Sequence, residues 1–420
     1  MPLRRQPSAI LGPESARGME TPALLSSPSR HPAGRMLLLI AAGQFFGMTL
    51  WFSATAAAPA LATEFSITSG GTAWLTMAVQ GGFVAGTLIS AILNLADVFN
   101  ARRLFAMGCI AGAVANGAIA FAESAWVIIA LRFATGVALA CVYPPGLKIA
   151  AGWFLDRRGT ALGVVVGALT VGSAFPHLLA WGTASVSWRS MLVASSALAL
   201  LGAAIVGAAV KDGPYVSASA PFDPHALAAV VRNRGVRMAT LGYLGHMWEL
   251  YAMWTWIPVF ATASLAGSGW PAGRVGSLVA FVSIASGAVG CVLAGRWADE
   301  WGKARVAGGA MAVSASCCVL AGFVFGAPLP ALLLLGIVWG FSIVADSAQF
   351  SALVAEFSPR TQVGTALTLQ TCVGFLLTMV SMRLLPGVAA EVGWRWAFLA
   401  LVPGPILGAI AMRRLASQSH

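Results

Sequence analysis

A handful of polar side chains fall inside long apolar runs, and their positions suggest chemistry. Arg132, Glu249 and Asp346 are ionisable. At bilayer depth such a group costs at least about 2.5–3.5 kcal/mol on insertion scales, so each is a functional candidate by default. His246 and Glu249 stand three residues apart on one helical face, which Met253 continues. Low-dielectric surroundings disfavour the ionised form of a carboxyl, which suits it to taking up and releasing a proton. Glu249, with His246 and Asp346, is therefore the candidate proton-coupling group. The alternative is a carboxylate permanently neutralised by an arginine or histidine. Arg132 supplies positive charge for an anionic solute; equally, it suits a structural hydrogen bond to carbonyls of a neighbouring helix. Gln44, Gln370, Trp248 and Tyr251 are candidate solute contacts, with aromatic packing as the bland reading of the last two. Asp346 lies toward one end of its run, where a gate-side hydrogen bond is as good a reading as solute contact. His177, after Pro176, reads as a satisfied core histidine.

The elements that hold these residues are apolar. The chain has 420 residues, 58% hydrophobic and 9% charged. A soluble fold of this size must cover its surface with more polar groups than that. Twelve apolar runs follow one another at 36–60, 72–95, 104–122, 126–150, 160–183, 189–210, 238–263, 273–294, 306–327, 329–352, 363–385 and 394–412. Each is near the roughly 20 residues a helix needs to cross a bilayer. Helices satisfy their own backbone hydrogen bonds, so an all-α membrane protein with twelve transmembrane helices is expected. The polar stretch 211–237 is a linker that divides the runs six and six, into bundles at 36–210 and 238–412. Residues 1–35 have the composition of a disordered tail without a signal peptide, and 413–420 form a second tail. Met36 opens the first apolar run directly, so a start assigned too early is an alternative for that tail.

Twelve spans put both termini on one side. Twenty of the 25 Lys and Arg residues fall on that side, four on the other (Arg189, Arg274, Arg383, Arg395), and Arg132 lies within a span. Positive charge stays cytoplasmic, so both ends are expected in the cytoplasm and the chain in the cell's inner membrane.

Three landmarks recur. Asp97 before Arg102 and Arg103 answers Asp299 before Lys303 and Arg305. Gly159-Thr160-Ala161-Leu162 answers Gly364-Thr365-Ala366-Leu367, and Trp188-Arg189 answers Trp394-Arg395. The offsets are 202, 205 and 206. Such repeats suit carriers that rock one half against the other. The stretch from Gly295 to Arg305 resembles the loop signature of the major facilitator superfamily, departing from it at Glu300. The first-half copy keeps Asp97, Arg102 and Arg103. Arg132 followed by Gly136 is similar to that family's fourth-span pattern. The resemblance implies two pseudo-symmetric six-helix bundles, a cavity lined by spans one, four, seven and ten, and a latch on the cytoplasmic side built from Gly295, Asp299, Gly302, Lys303 and Arg305. Gln44, Arg132, Glu249 and Asp346 fall on those four spans. Gly295 permits close helix approach, Gly302 a sharp turn, and Asp299 is expected to pair with Arg305 or Lys303, or to face a helix N-terminus. The bland reading of these charges is topology alone. Pro176 follows Phe175 rather than a glycine, which lowers the expectation of drug efflux. The overall look is similar to the nitrate/nitrite and cyanate porter branch, without its Gly/Asn-rich signatures or a paired arginine in span eight.

Other classes lack their motifs. There is no P-loop, no H-E-x-x-H and no G-x-S-x-G, and the one Gly-x-Gly step, Gly267-Ser268-Gly269, has Ala272 where the third glycine belongs. The six cysteines lie within apolar runs without metal-site spacing. The basic residues form no patch for nucleic acid. The expectation is therefore a non-enzymatic, cofactor-free monomer. It would move a small solute, preferably an anion, across the bilayer with a proton as coupling ion. Efflux antiport and membrane sensing are the alternatives.

Overall fold

The computed structural model describes residues 30–155, 158–182, 187–215, 223–359 and 361–417. Most of the expected tail, with Arg4, Arg5 and Arg17, lies outside them, as do Arg157 and Arg360. The first helix begins at Arg30, inside the stretch expected to be tail.

Nine stretches among the described residues are long and apolar enough to cross a membrane. One of them, Val363–Ala416, has 54 residues. It turns sharply at Gly393 (φ 76°) and so makes two passes. Two further passes complete the twelve. The first span, beginning as Arg30–Met48, is interrupted before Ser53–Ala56. The seventh, Arg234–Ser264, holds His246 and Glu249, which lower its hydropathy. It starts four residues earlier than the apolar run, capped by the Asn233 side chain, which accepts from the Val236 N–H at 3.1 Å. An even number of passes leaves both ends on one face, here called the linker face.

The fourth span is broken between Ala125–Leu139 and Tyr143–Ala151, where Pro144 and Pro145 open the second piece. The tenth is broken at Asp346, between Leu329–Ala345 and Ser347–Phe357. Spans one, four and ten thus all depart from continuous helix within the membrane. Such breaks are tolerated where the freed backbone groups are buried in protein.

Packing repeats between the halves. Span one packs on spans five and six, and span seven on spans eleven and twelve. Span two packs on four, and span eight on ten. The bundles meet where span five packs on eight and span two on eleven, a symmetric exchange. One close helix approach repeats too. A Cβ on Gly136 would run into the Val79 carbonyl, and one on Gly340 into the Ser283 carbonyl. Both pairs differ by 204 in number.

The third sequence landmark has a shared geometry. Arg189 donates from Nε to the Ala120 carbonyl at 3.1 Å, and Arg395 from Nε to the Gly322 carbonyl at 3.1 Å. Among the described residues only the first copy adds an acid: Glu64 accepts from Arg189 at 2.6 Å and from the Trp188 indole at 2.7 Å.

Candidate functional site

A cavity of about 510 Å³ lies between the bundles, toward the face opposite the linker. Spans one, two, five, seven, eight and eleven line it, with Trp394 from the start of span twelve. Pro59, Val259 and Ala390 at its rim are exposed, whereas His177, Thr255 and Trp256 at its floor are buried. The lining is mostly apolar, with hydroxyls from Thr55, Thr72, Thr255, Thr262 and Ser277. Among the described residues no Lys, Arg, Asp or Glu lines it.

Below the floor the bundles meet through aromatic rings. Trp51, Phe52 and Phe83 come from the first half; Tyr251, Trp254 and Phe375 come from the second. Tyr251 stacks on Trp51 with centroids 5.8 Å apart, and Phe375 meets Phe83 at 4.7 Å. All six are buried. Toward the linker face, span five follows span eight closely. Cβ atoms on Gly163 and Gly167 would stand 3.2 and 3.3 Å from the carbonyl oxygens of Cys291 and Ala288. A Cβ on Gly295 would stand 3.7 Å from the Gly159 carbonyl oxygen, ordinary van der Waals contact, so the helices there are less tightly apposed than at Gly163 and Gly167.

Glu249 lies within the second bundle. One carboxylate oxygen accepts from Ser314 Oγ at 2.5 Å, from Trp339 Nε1 at 2.5 Å and from Cys318 Sγ at 3.2 Å. These donors belong to spans nine and ten. A turn away, His246 Nδ1 lies 2.8 Å from Asp346 Oδ1, both side chains almost fully buried. The approach is at ion-pair distance, off hydrogen-bond alignment. The structure thus brings together the three residues grouped from the sequence, on spans seven and ten, and adds Ser314, Cys318 and Trp339. Small hydroxyls, thiols and indoles are commonplace in apolar helices, so nothing in the sequence distinguished them.

Arg132 is fully buried in the first bundle. It donates to the carbonyls of Leu75 at 3.0 Å, Leu50 at 2.8 Å and Trp51, and to Ser53 Oγ at 3.2 Å and Asn116 Oδ1 at 3.3 Å. Leu50 and Trp51 sit at the break in span one. The guanidinium satisfies the carbonyls that the break releases, and it does not line the cavity. This is the carbonyl-bonding arrangement that stood beside anion binding.

The other candidates are dispersed. Gln44 is buried, and its Oε1 occupies the space a Cβ on Gly146 would need. Trp248 donates to the Ala400 carbonyl at 3.0 Å, toward span twelve. Gln370 is buried, and its Nε2 has no partner among the described residues. Neither they nor Asp346 and Glu249 line this cavity, which draws on spans one and seven of the four expected and not on four and ten. The reading of His177 as a satisfied core histidine is corrected. That residue is buried, yet neither ring nitrogen has a hydrogen-bond partner among the described residues, and it lines the cavity.

The loop signature is partly redrawn. Gly302 makes the expected turn with φ 87°. Lys303, however, pairs with Glu356 at the end of span ten at 2.9 Å, not with Asp299, which is exposed. In the first half, Asp97 pairs with Lys148 at the end of span four, and Lys148 also donates to the Ala96 carbonyl at 2.7 Å. Arg102 grips Asp212 with two parallel bonds of 2.8 and 2.7 Å. That pairing holds the Asp212 carboxyl below the usual carboxylate range. Arg103 is exposed. Each of these pairs lies within its own half or between that half and the linker.

Two six-helix bundles related by repeat, closed on each other at mid-depth with a cavity above, define a multi-pass membrane protein of the secondary-carrier architecture. The sequence profile of the Major Facilitator Superfamily matches residues 40–290 and 261–419, and the chain belongs to that family. Over 171 residues it is 28% identical to a hexuronate transporter of Escherichia coli K12, covering 40% of this chain and 38% of that protein. Over 169 residues it is 28% identical to a galacturonate transporter of Dickeya chrysanthemi, covering 40% and 48%. The match thus spans less than half the length of either curated relative. Among solved structures, a point mutant of the nucleoside transporter NupG aligns with a TM-score of 0.67 at 15% identity, over 90% of this chain and 99% of that one, which shows the fold. Fold and relatives are those of transporters, not enzymes.

Proposed function

We propose that this protein is a secondary transporter that carries a small organic anion through the cytoplasmic membrane by alternating access, coupled to protons, with both termini in the cytoplasm. The observation that carries the reading is the cavity between the bundles. It opens on one face, while aromatic rings and the packing of span five on span eight fill the path to the other. Rocking the bundles about that aromatic contact would open the opposite side. The relatives named for hexuronate and galacturonate support a carboxylate cargo.

Glu249 is the coupling group in this reading, with His246 and Asp346 beside it. Its three donors come from spans nine and ten, so any change in its charge acts on the contacts among spans seven, nine and ten. Those contacts shape the half that must move.

The test is accumulation of radiolabelled small carboxylates by proteoliposomes under an imposed pH gradient. Uptake of at least one acid above its equilibrium level, abolished by a protonophore, is expected. A panel of monocarboxylates, dicarboxylates and sugar acids with no accumulated member would sink the proposal.

A further inference from the structure

His177 sits in span five, Arg158–Gly182, with 1% of its surface exposed. Both ring nitrogens are buried without a partner among the described residues, and the ring lines the cavity floor. Buried polar groups are nearly always hydrogen-bonded, so an exception at a cavity wall needs an explanation. Phe52 lies beside the ring, with centroids 6.2 Å apart, and offers it no hydrogen-bond partner.

The rest of the lining narrows what meets that imidazole. Among the described residues no other lining side chain can carry a positive charge, and none carries a negative one. Thr262 and Ser277 donate to the carbonyls of Pro258 at 2.7 Å and Gly273 at 3.2 Å. Trp256 donates its indole N–H to the Met382 carbonyl at 2.9 Å. Those two hydroxyls are left with lone pairs to offer, which suits hydroxyl groups on a solute. Trp256 and Trp394 place two indoles 5.5 Å apart at the same wall, an apolar surface against which the C–H face of a sugar ring packs.

We infer that His177 is the solute's carboxylate anchor, in a site built for a singly charged, hydroxylated acid of about sugar size. The inference rests on the transport reading and names the solute class and the gripping residue. Imidazole donates a hydrogen bond from one nitrogen when neutral and from both when protonated, so it can hold one carboxylate. The hydroxyls accept from the solute's OH groups, and the tryptophans cover its ring.

Equilibrium binding of galacturonate and of neutral galactose to the purified full-length protein tests this. Wild type is expected to prefer galacturonate by tenfold or more. His177→Leu is expected to weaken galacturonate at least about tenfold, the scale of a hydrogen bond to a charged group, while changing galactose little. His177→Gln retains a donor and is expected to stay within a few-fold of wild type. Should His177→Leu fail to fold, His177→Phe, which keeps a ring and removes both nitrogens, takes its place with the same expectation. Unchanged galacturonate affinity in either variant overturns the anchor and leaves the transport reading standing. No galacturonate binding by wild type overturns the solute class, while accumulation of another acid in the liposome panel would still uphold transport.

Discussion

The rings of Phe52 and Tyr251 lie almost parallel, tilted by 9° with centroids 6.3 Å apart, and they come from opposite bundles. Trp51 stacks on the same tyrosine. The two halves are therefore held at mid-depth by flat aromatic faces rather than by charge. Aromatic pairs add about 0.5–1.5 kcal/mol beyond their buried area. That is enough to favour one closed arrangement and small enough to be released by the rocking proposed above. Tyr251→Ala is expected to loosen the closure. Cysteines placed on the linker-face half of span eight should then react faster with a membrane-impermeant maleimide applied from that face. Unaltered labelling would show that the rings merely fill space.

Glu249→Gln is expected to keep the fold, because an amide oxygen still accepts from Trp339 and Ser314, and to lose proton-driven accumulation while keeping solute exchange. Glu249→Leu strands those donors at a cost of about 1–3 kcal/mol. It should therefore lower the midpoint of thermal unfolding as well. Normal accumulation by Glu249→Gln would remove Glu249 from coupling.

Arg132→Lys keeps the charge but not the fork. Lysine cannot span the carbonyls of Leu50, Trp51 and Leu75 at once, so at least one is left unpaired where span one breaks. A loss of about 1–3 kcal/mol in stability is expected, with KM for solute unchanged in the folded fraction. A raised KM with wild-type stability would return Arg132 to the binding role.

The Arg102–Asp212 pair ties the linker to the start of span three. Its carboxyl is held below the usual range of about 3.9, so its contribution is full above that value and disappears as pH falls through the lower, folded one. The pair is partly exposed, which limits its worth to roughly 0.2–1 kcal/mol. Asp212→Asn should melt slightly below wild type at pH 7, and the gap should shrink as pH falls below the usual carboxylate value. A gap that does not shrink with falling pH would mean the asparagine disturbs something other than charge.

Gly340→Ala puts a methyl group against the Ser283 backbone, and Gly136→Ala puts one against that of Val79. Backbone cannot swing aside as a side chain can, so each variant must push two helices apart. Strain of about 1–3 kcal/mol or more is expected, seen as lost yield and a lower unfolding temperature. Equal damage in the two halves would follow from the shared geometry. Tolerance of both would show that the helices have slack.

Much of the architecture was readable because bilayer-crossing helices need only length and greasiness. The repeat followed from spacing, and the turn at Gly302 from the resemblance of its loop to the family signature. The breaks in spans one and ten were not readable: Thr49–Phe52 and Asp346 sit in apolar sequence, and what stabilises a break is a partner elsewhere in the chain. Arg132 illustrates this. Its residue type marked it as costly, but the carbonyls that absorb the cost belong to a helix about 80 residues earlier. Glu249 was legible for the same reason, and its three donors were not. His177 was misread because a lone histidine carries no sign of whether its nitrogens find partners.

The two loop clasps have opposite polarity. In the first half an acid at the loop, Asp97, meets a base on the helix, Lys148; in the second a base at the loop, Lys303, meets an acid on the helix, Glu356. Were a loop to dock on the wrong half while the chain is being inserted, base would meet base or acid would meet acid. A duplicated protein made of two lookalike halves faces that error at every synthesis, and reversed charge gives each loop a way to tell its own helix from the copy.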